Sequence, residues 1–414
     1  MTQESLTEKL GRHIARPVNS SSKQRARLHL LDWLGCVAGA RGTANGKRLI
    51  AALDSPSAYL GNVLEMDDVH RSAILHPGPV IWPTALSGAN DMESMLTAAV
   101  RGYEAMIAVG ATFDAHHYAQ YHPTATAGVF GAVAARWSVH SDADNADEAA
   151  EMLVHAFGLA GTLAGGLWQT RHENDDAKQY HSGRASANGM MAFDSAARGL
   201  RGPRYILEGA QGLYAATCKL PQDMILNEGW QITNVSFKPW GACRHAHPAI
   251  DAALELKAKL GALNGEITVE SYADAVVFCD RADPKTVGEA KFSIQHAVAV
   301  VAEKGVPELA DFEPNAIAEY ADARGRVCVK EASDITRRYP QHYGARISCG
   351  GDSVELIDAL GDPERPMDEG QIIDKARALI AWGGLQTGDA DRAVHLALES
   401  NDCAEIAALL GNWL

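Results

Sequence analysis

The sequence predicts a mainly α-helical protein that also carries a smaller α+β domain. Three observations predict it. Apolar residues recur at helical spacing through the first half. Runs rich in β-branched residues and bounded by turn formers are confined to the stretch after about residue 235. Helical spacing then resumes at Met367. With 414 residues the chain exceeds the size at which one core usually stops growing, so two domains are expected. The expected division is a helical domain over 1–238, an α+β domain over 239–365 and a C-terminal return to the helical domain over 366–414.

In order along the chain, Asn19 to Ser22 offer N-cap candidates, and Leu28, Leu31, Leu34 and Cys36 follow at helical spacing. Residues 95–112 form a second expected helix and 147–169 a third. Gly158, Ala160, Gly161, Ala164 and Gly165 would let neighbouring helices approach the third closely. Residues 273–280 (ADAVVFCD), 325–332 (GRVCVKEA) and 345–357 (ARISCGGDSVELI) read as strands, and 291–305 (KFSIQHAVAVVAEKG) as a helix between them. EGQIIDKARALIAW, DRAVHLALE and DCAEIAALLGNWL close the chain as helices.

Composition narrows the function. Hydrophobic residues at 47 % and charged residues at 21 % are ordinary for a globular protein. A formal net charge of −15 repels phosphate backbones and anionic lipid, so neither nucleic acid nor membrane is an expected partner. Cys36, Cys218, Cys243, Cys279, Cys328, Cys349 and Cys403 are scattered and odd in number, with no C-x-x-C pair. That speaks against a disulfide framework and a structural zinc site, and fits a reducing cytoplasm. The N-terminal MTQESLTEKLGRHIARPV is polar and of alternating charge, unlike a targeting segment. No apolar run approaches the roughly 20 residues that a membrane span needs. The glycine-rich nucleotide loops, the G-x-S-x-G elbow and H-E-x-x-H are all missing, so the chemistry falls to ordinary side chains.

Four stretches gather His, Lys and acids beside Gly and Pro. Glu65, Asp67 and Asp68 precede His70, Arg71 and His76-Pro77-Gly78. A carboxylate partner there would fix the tautomer of a histidine; the plain alternative is a solvated acidic turn. His116, His117 and His122 stand ahead of a small-residue helix. Without supporting cysteines or H-E-x-x-H, metal binding is not expected, and His122 is the acid/base candidate. His116 and His117 fit packing or capping roles. Lys178, His181 and Arg184 flank Ser182-Gly183 and suit a carboxylate clamp. Lys238, Cys243, Arg244, His245 and His247 lie in the expected join between domains, where binding sites are common.

At these residues the chain resembles the MmgE/PrpD family, the 2-methylcitrate dehydratase family, which also includes cis-aconitate decarboxylase and iminodisuccinate epimerase. The resemblance runs through LLDWLGCVAGA (30–40), residues 65–78, RGYEAMIAVG (101–110) and YHPTATAGVFGAVAA (121–135). It continues through AKQYHSGRASANG (177–189), SFKPWGACRHAHPAIDAA (236–253) and EAKFSIQHAVAV (289–300). It implies a large all-helical domain closed by both chain ends, an inserted α+β lid domain, a homodimer, and an active site between the domains. It also implies chemistry on small polycarboxylates with no metal or organic cofactor. By motif, Glu65 takes the place of the first Asp of an Asp-x-Asp-Asp element, and His76, His122, Lys178 and Lys238 match the family's His-Pro, His-Pro, Lys and Lys-x-[Tyr/Trp] positions. Val69 replaces a common Thr, His296 an often-found Tyr and Gly241 a Pro. Val69 and His296 fall at expected substrate contacts, and the segment between Gly39 and Tyr59 looks shortened.

A hydrogen α to a carboxylate is weakly acidic, because ionisation adds charge to an existing anion. Its removal requires electrostatic stabilisation of an enediolate-like intermediate. The expected machinery is His76 and His122 as acid/base pair, with Glu65 or Asp68 tuning one of them and Lys178 helping in catalysis. Lys238, His181, Arg184, Cys243, His247, His296 and Val69 are the expected substrate contacts. Dehydration is the first expected outcome, epimerisation the second and decarboxylation the third. A non-catalytic polycarboxylate-binding protein is the alternative from another class.

Overall fold

The computed structural model describes residues 4–140, 146–173 and 175–414; the first three residues of the polar N-terminal stretch lie outside them. The chain forms two compact units. One comprises Met1–Val63, Asp67–Val235 and Asp368–Leu414; the other comprises Leu64–Met66 and Ser236–Met367.

The first unit is helical. Asn19 caps the Ser20–Arg41 helix by accepting a hydrogen bond from the Ser22 N–H at 2.8 Å. That helix is buried almost throughout from His29 to Ala40, so its apolar residues run all round it rather than along one stripe. The C-terminal Glu369–Trp382 helix packs on it, with a Cβ at Gly35 lying only 3.0 Å from the Ala376 Cα. A buried Lys375–Asp32 ion pair joins the same two helices. The Met92–Gly110, Pro123–His140 and Ala177–Ala197 helices pack in sequence through small residues. The Ala146–Gly161 helix is shorter than the 147–169 pattern suggests. It ends at Gly161, and after a short loop Gly166, at φ +95°, leads the chain into the Trp168–Arg171 3₁₀ turn. Its small residues do accept a close neighbour, although a Cβ on Gly158 would meet the backbone of Gly202 and Pro203 rather than another helix. Among the described residues no helix is long and apolar enough to cross a membrane.

The second unit holds one four-stranded sheet in the order β2-β1-β3-β4. β1 is Ile267–Ser271, β2 Val327–Glu331, β3 Ala345–Cys349 and β4 Asp352–Leu356. β1 runs parallel to β2 and antiparallel to β3, and β3 turns into β4 through Gly350 and Gly351, both at positive φ. The His247–Leu260 helix covers β3 and β4 and packs against the Ile294–Glu303 helix. One expected strand is a helix: Ala273–Cys279 buries Ala275, Phe278 and Cys279 at helical spacing and leaves Val277 exposed. The strand lies just before it, where Ile267, Val269 and Ser271 alternate inward.

Candidate active site

In the helical unit, the loop from Asp67 to Pro77 folds back on itself through a two-way backbone pairing of His70 with Leu75. The two adjacent carboxylates point to different partners. Asp68 is used up internally: its Oδ1 accepts from the Gly78 N–H at 2.9 Å, and its Oδ2 from the Tyr103 hydroxyl at 2.6 Å and His29 Nδ1 at 2.8 Å. Gly78 begins the Gly78–Leu86 helix, and a Cβ there would lie 2.7 Å from Asp68 Oδ1, so only glycine permits this capping contact. Asp67 faces the other way. Its Oδ2 accepts from Asn62 Nδ2 at 2.7 Å and from His76 Nδ1 at 2.9 Å. Within this unit the carboxylate bonded to His76 is Asp67, while Asp68 meets His29. With Nδ1 bonded to Asp67, the proton of neutral His76 sits on Nδ1 and Nε2 is left basic.

His122 stands at the start of the Pro123–His140 helix, held by its backbone N–H on the Gly166 carbonyl at 2.7 Å. Its ring lies edge-on to His76 at 6.3 Å between centroids and over Trp168 at 4.4 Å. His122 Nδ1 is 3.3 Å from His181 Nδ1, so one of these rings donates to the other. His122 Nε2 is buried with no hydrogen-bond partner among the described residues. Burial, followed by repulsion from His181, Lys178 and His76, holds the His122 pKa well below the ordinary value, against a smaller opposing pull from Asp67. His181 is lowered too, mainly by burial. Lys178 and His181, three residues apart on the Ala177–Ala197 helix, share the face turned to His122.

Other residues of the helical unit have contacts of their own. Arg184 is exposed and bonded to Asn188 Oδ1 at 3.0 Å and to Tyr59. Val69 is buried between Asp68 and His70 in sequence. His117 is stacked on Phe113 at 3.7 Å and bonded to Thr217 Oγ1 at 2.9 Å, a packing role.

In the α+β unit, Lys238 is wholly buried, with Nζ 3.1 Å from the Glu65 carbonyl and 3.7 Å from Glu65 Oε2. Glu65 adopts φ +58°, a left-handed conformation uncommon outside glycine and a sign of local strain. Lys291, which is not an expected site residue, is also buried, with Nζ 3.3 Å from the Leu64 carbonyl. Cys243 is hydrogen-bonded to the Cys279 thiol, whose pKa burial raises well above normal. His247 is engaged with the Ala242 carbonyl at 3.0 Å and Arg244 at 3.2 Å, and Arg244 pairs with buried Asp362 at 2.6 Å. His296 is tied to the Asp311 carbonyl at 2.7 Å and to Arg324 at 3.3 Å. These contacts give His247, Arg244 and His296 structural work inside the unit. Among the described residues, His342, Asp358 and Glu364 bring three potential metal-ligand atoms within 4.8 Å of one another, and none of them is an expected site residue.

Three more buried histidines, His29, His70 and His117, have pKa values lowered to about 4, in each case mainly by burial. Unfolded histidines take up protons below about 6.5. The folded protein refuses those protons until about pH 4, so the unfolded state binds more of them and stability rises with pH across this window. Asp32, raised to about 6, and Asp251, also raised, both mainly by burial, oppose this in part. Urea unfolding is expected to show stability lower at pH 5 than at pH 7 by on the order of a few kcal/mol. Equal midpoints at the two pH values would contradict these assignments.

The helical unit thus gathers largely buried imidazoles, one of them bonded to a carboxylate. The MmgE/PrpD N-terminal domain matches residues 57–224 and the MmgE/PrpD C-terminal domain residues 240–400, so the chain belongs to the MmgE/PrpD family. That family includes dehydratases. No curated protein shows a significant match to the chain.

Proposed function

We propose that this protein is a lyase of the hydro-lyase type that removes a proton α to a carboxylate on a small di- or tricarboxylic acid, in the manner of 2-methylcitrate dehydratase and without a metal or organic cofactor. The observation that carries the proposal is the buried Nε2 of His122, which has no hydrogen-bond partner among the described residues, beside a His76 aligned by Asp67. A buried polar nitrogen without a partner costs free energy that a bound polar ligand recovers.

His76 Nε2 takes the α-proton, and Asp67 stabilises the imidazolium that forms. His122, kept neutral by burial, hydrogen-bonds the developing enediolate through Nε2, and Lys178 adds positive charge. The C–H electron pair becomes the C=C bond, the β C–O bond breaks, and the departing hydroxide takes the proton from His76 to leave as water. Epimerisation is the second reading. It is favoured by the edge-on placement of two separate imidazoles, since inversion requires a base and an acid at different positions around one carbon.

The test is proton NMR in D₂O with 2-methylcitrate, citrate, cis-aconitate, malate, tartrate and iminodisuccinate. An olefinic product from a hydroxy acid is expected. Exchange with inversion and no elimination would select epimerisation, carbon dioxide release would select decarboxylation, and no change on any acid would overturn the enzyme reading.

A further inference from the structure

We infer that Asn62 is a positioning residue: by donating to Asp67 it holds that carboxylate against His76 Nδ1, which keeps the ring proton on Nδ1 and leaves Nε2 basic. The inference rests on the proposed function only for the use of His76 as a base. Asn62 Nδ2 donates to Asp67 Oδ2 at 2.7 Å, and His76 Nδ1 reaches the same oxygen at 2.9 Å. Asn62 Nδ2 is 3.5 Å from His76 Nδ1 itself, at the outer limit for a hydrogen bond, so the amide serves the carboxylate rather than the ring. Asn62 is 0 % exposed and Asp67 1 %, and both belong to the helical unit.

Three observations separate Asn62 from a residue that only closes its own turn. The turn, which follows the Ser57–Leu60 helix, is already placed by packing: a Cβ on Gly61 would lie 3.0 Å from the Trp33 ring of the Ser20–Arg41 helix. Next, Asn62 Oδ1 is buried with no hydrogen-bond partner among the described residues. A buried acceptor left unpaired opposes folding, so an apolar side chain of similar size would suit the turn as well. What such a side chain could not do is donate to Asp67. Finally, the backbone of His76 is held independently, its N–H donating to buried Thr124 Oγ1 at 3.0 Å. The tautomer of the ring is then the remaining variable, and the acceptor on Nδ1 decides it.

A free neutral imidazole favours its proton on Nε2, so the Nδ1–H form has to be imposed by an acceptor. A carboxylate imposes it best when it is ionised and correctly turned, and a donor on that carboxylate favours both. Asn62 supplies the donor without adding charge. A cationic donor in its place would compete with the imidazolium for Asp67. The neighbouring Asp68 takes donors from Gly78, Tyr103 and His29, a set that shares no member with Asn62 and His76. The two adjacent acids are therefore oriented separately, and Asn62 acts on the one that meets the candidate base.

The test compares the full wild-type chain with Asn62→Leu and Asn62→Ala by ¹⁵N-histidine NMR, thermal melts and steady-state kinetics, with His76→Gln assigning the His76 signals. Wild-type His76 should carry its proton on Nδ1, and both variants should show a clear rise of the Nε2–H form. Their kcat should fall by roughly tenfold, with KM changed by less than about threefold and the melting temperature nearly kept. An unshifted tautomer in a folded variant would overturn the inference, as would a lower melting temperature with kcat preserved. Where neither variant folds, the wild-type chain decides. Its His76 should be the Nδ1–H form, and its ¹⁵N-labelled Asn62 side-chain amide should exchange with D₂O at least about tenfold slower than a solvated asparagine amide; failure of either overturns it. The two ideas fail separately. No turnover of any acid, with the tautomer shift present, removes the enzyme reading alone, and turnover with an unshifted tautomer removes only the role of Asn62.

Discussion

Replacing His122 with glutamine is expected to lower kcat by about a hundredfold or more, with a smaller effect on KM, the scale seen when one positioned donor or acid/base group is lost. The imidazole is buried, lies over Trp168, and presents a buried Nε2 with no partner among the described residues. An amide in its place cannot reproduce the nitrogen pair that touches His181 on one side and a ligand on the other. Because the lost interaction belongs chiefly to the developing enediolate, kcat and kcat/KM should fall together. His117→Gln is the matched control. His117 is equally buried but stacked on Phe113, so its replacement should lower stability and leave kcat per folded molecule nearly unchanged. Equal losses of kcat in both variants would remove His122 from the mechanism.

Asp67→Asn is expected to lower kcat by roughly 10²- to 10⁴-fold while the protein remains folded, because the wrong tautomer removes the base. Asp67 Oδ2 now receives both Asn62 Nδ2 and His76 Nδ1. An amide at position 67 can turn its NH₂ toward His76 Nδ1. That nitrogen must then accept, the ring proton moves to Nε2, and the nitrogen that should take the substrate proton is blocked. Asp68→Asn gives the opposite pattern. Asp68 holds Gly78, Tyr103 and His29 rather than the cluster, so its change should lower the melting temperature more than kcat. Steady-state kinetics beside thermal melts separates the two; a larger kcat loss in Asp68→Asn than in Asp67→Asn would reverse the assignment.

The helices were legible where apolar spacing or a cap is written locally. Asn19 before Ser20–Arg41 and the C-terminal Glu369–Trp382 pattern needed nothing more than periodicity. The 273–280 run failed because Val276, Val277 and Phe278 look like a strand in isolation; only the inward turn of Ala275, Phe278 and Cys279 shows the helix. The family resemblance named His76, His122 and Lys178, yet it could not say which of two adjacent carboxylates meets His76. Neighbouring side chains leave the backbone in different directions, and the loop fold decides between them. His29 and Tyr103 come from helices remote in sequence from the loop that holds Asp68.

The most direct test of the central claim is loss of α-deuterium from a specifically deuterated hydroxy acid that the protein dehydrates, followed by NMR in H₂O for wild type, His76→Gln and His122→Gln. The account predicts release of the label by the wild-type protein, almost none with His76→Gln, and release slowed about a hundredfold with His122→Gln. Release at the wild-type rate by His76→Gln would show that another group takes the proton and would contradict the account.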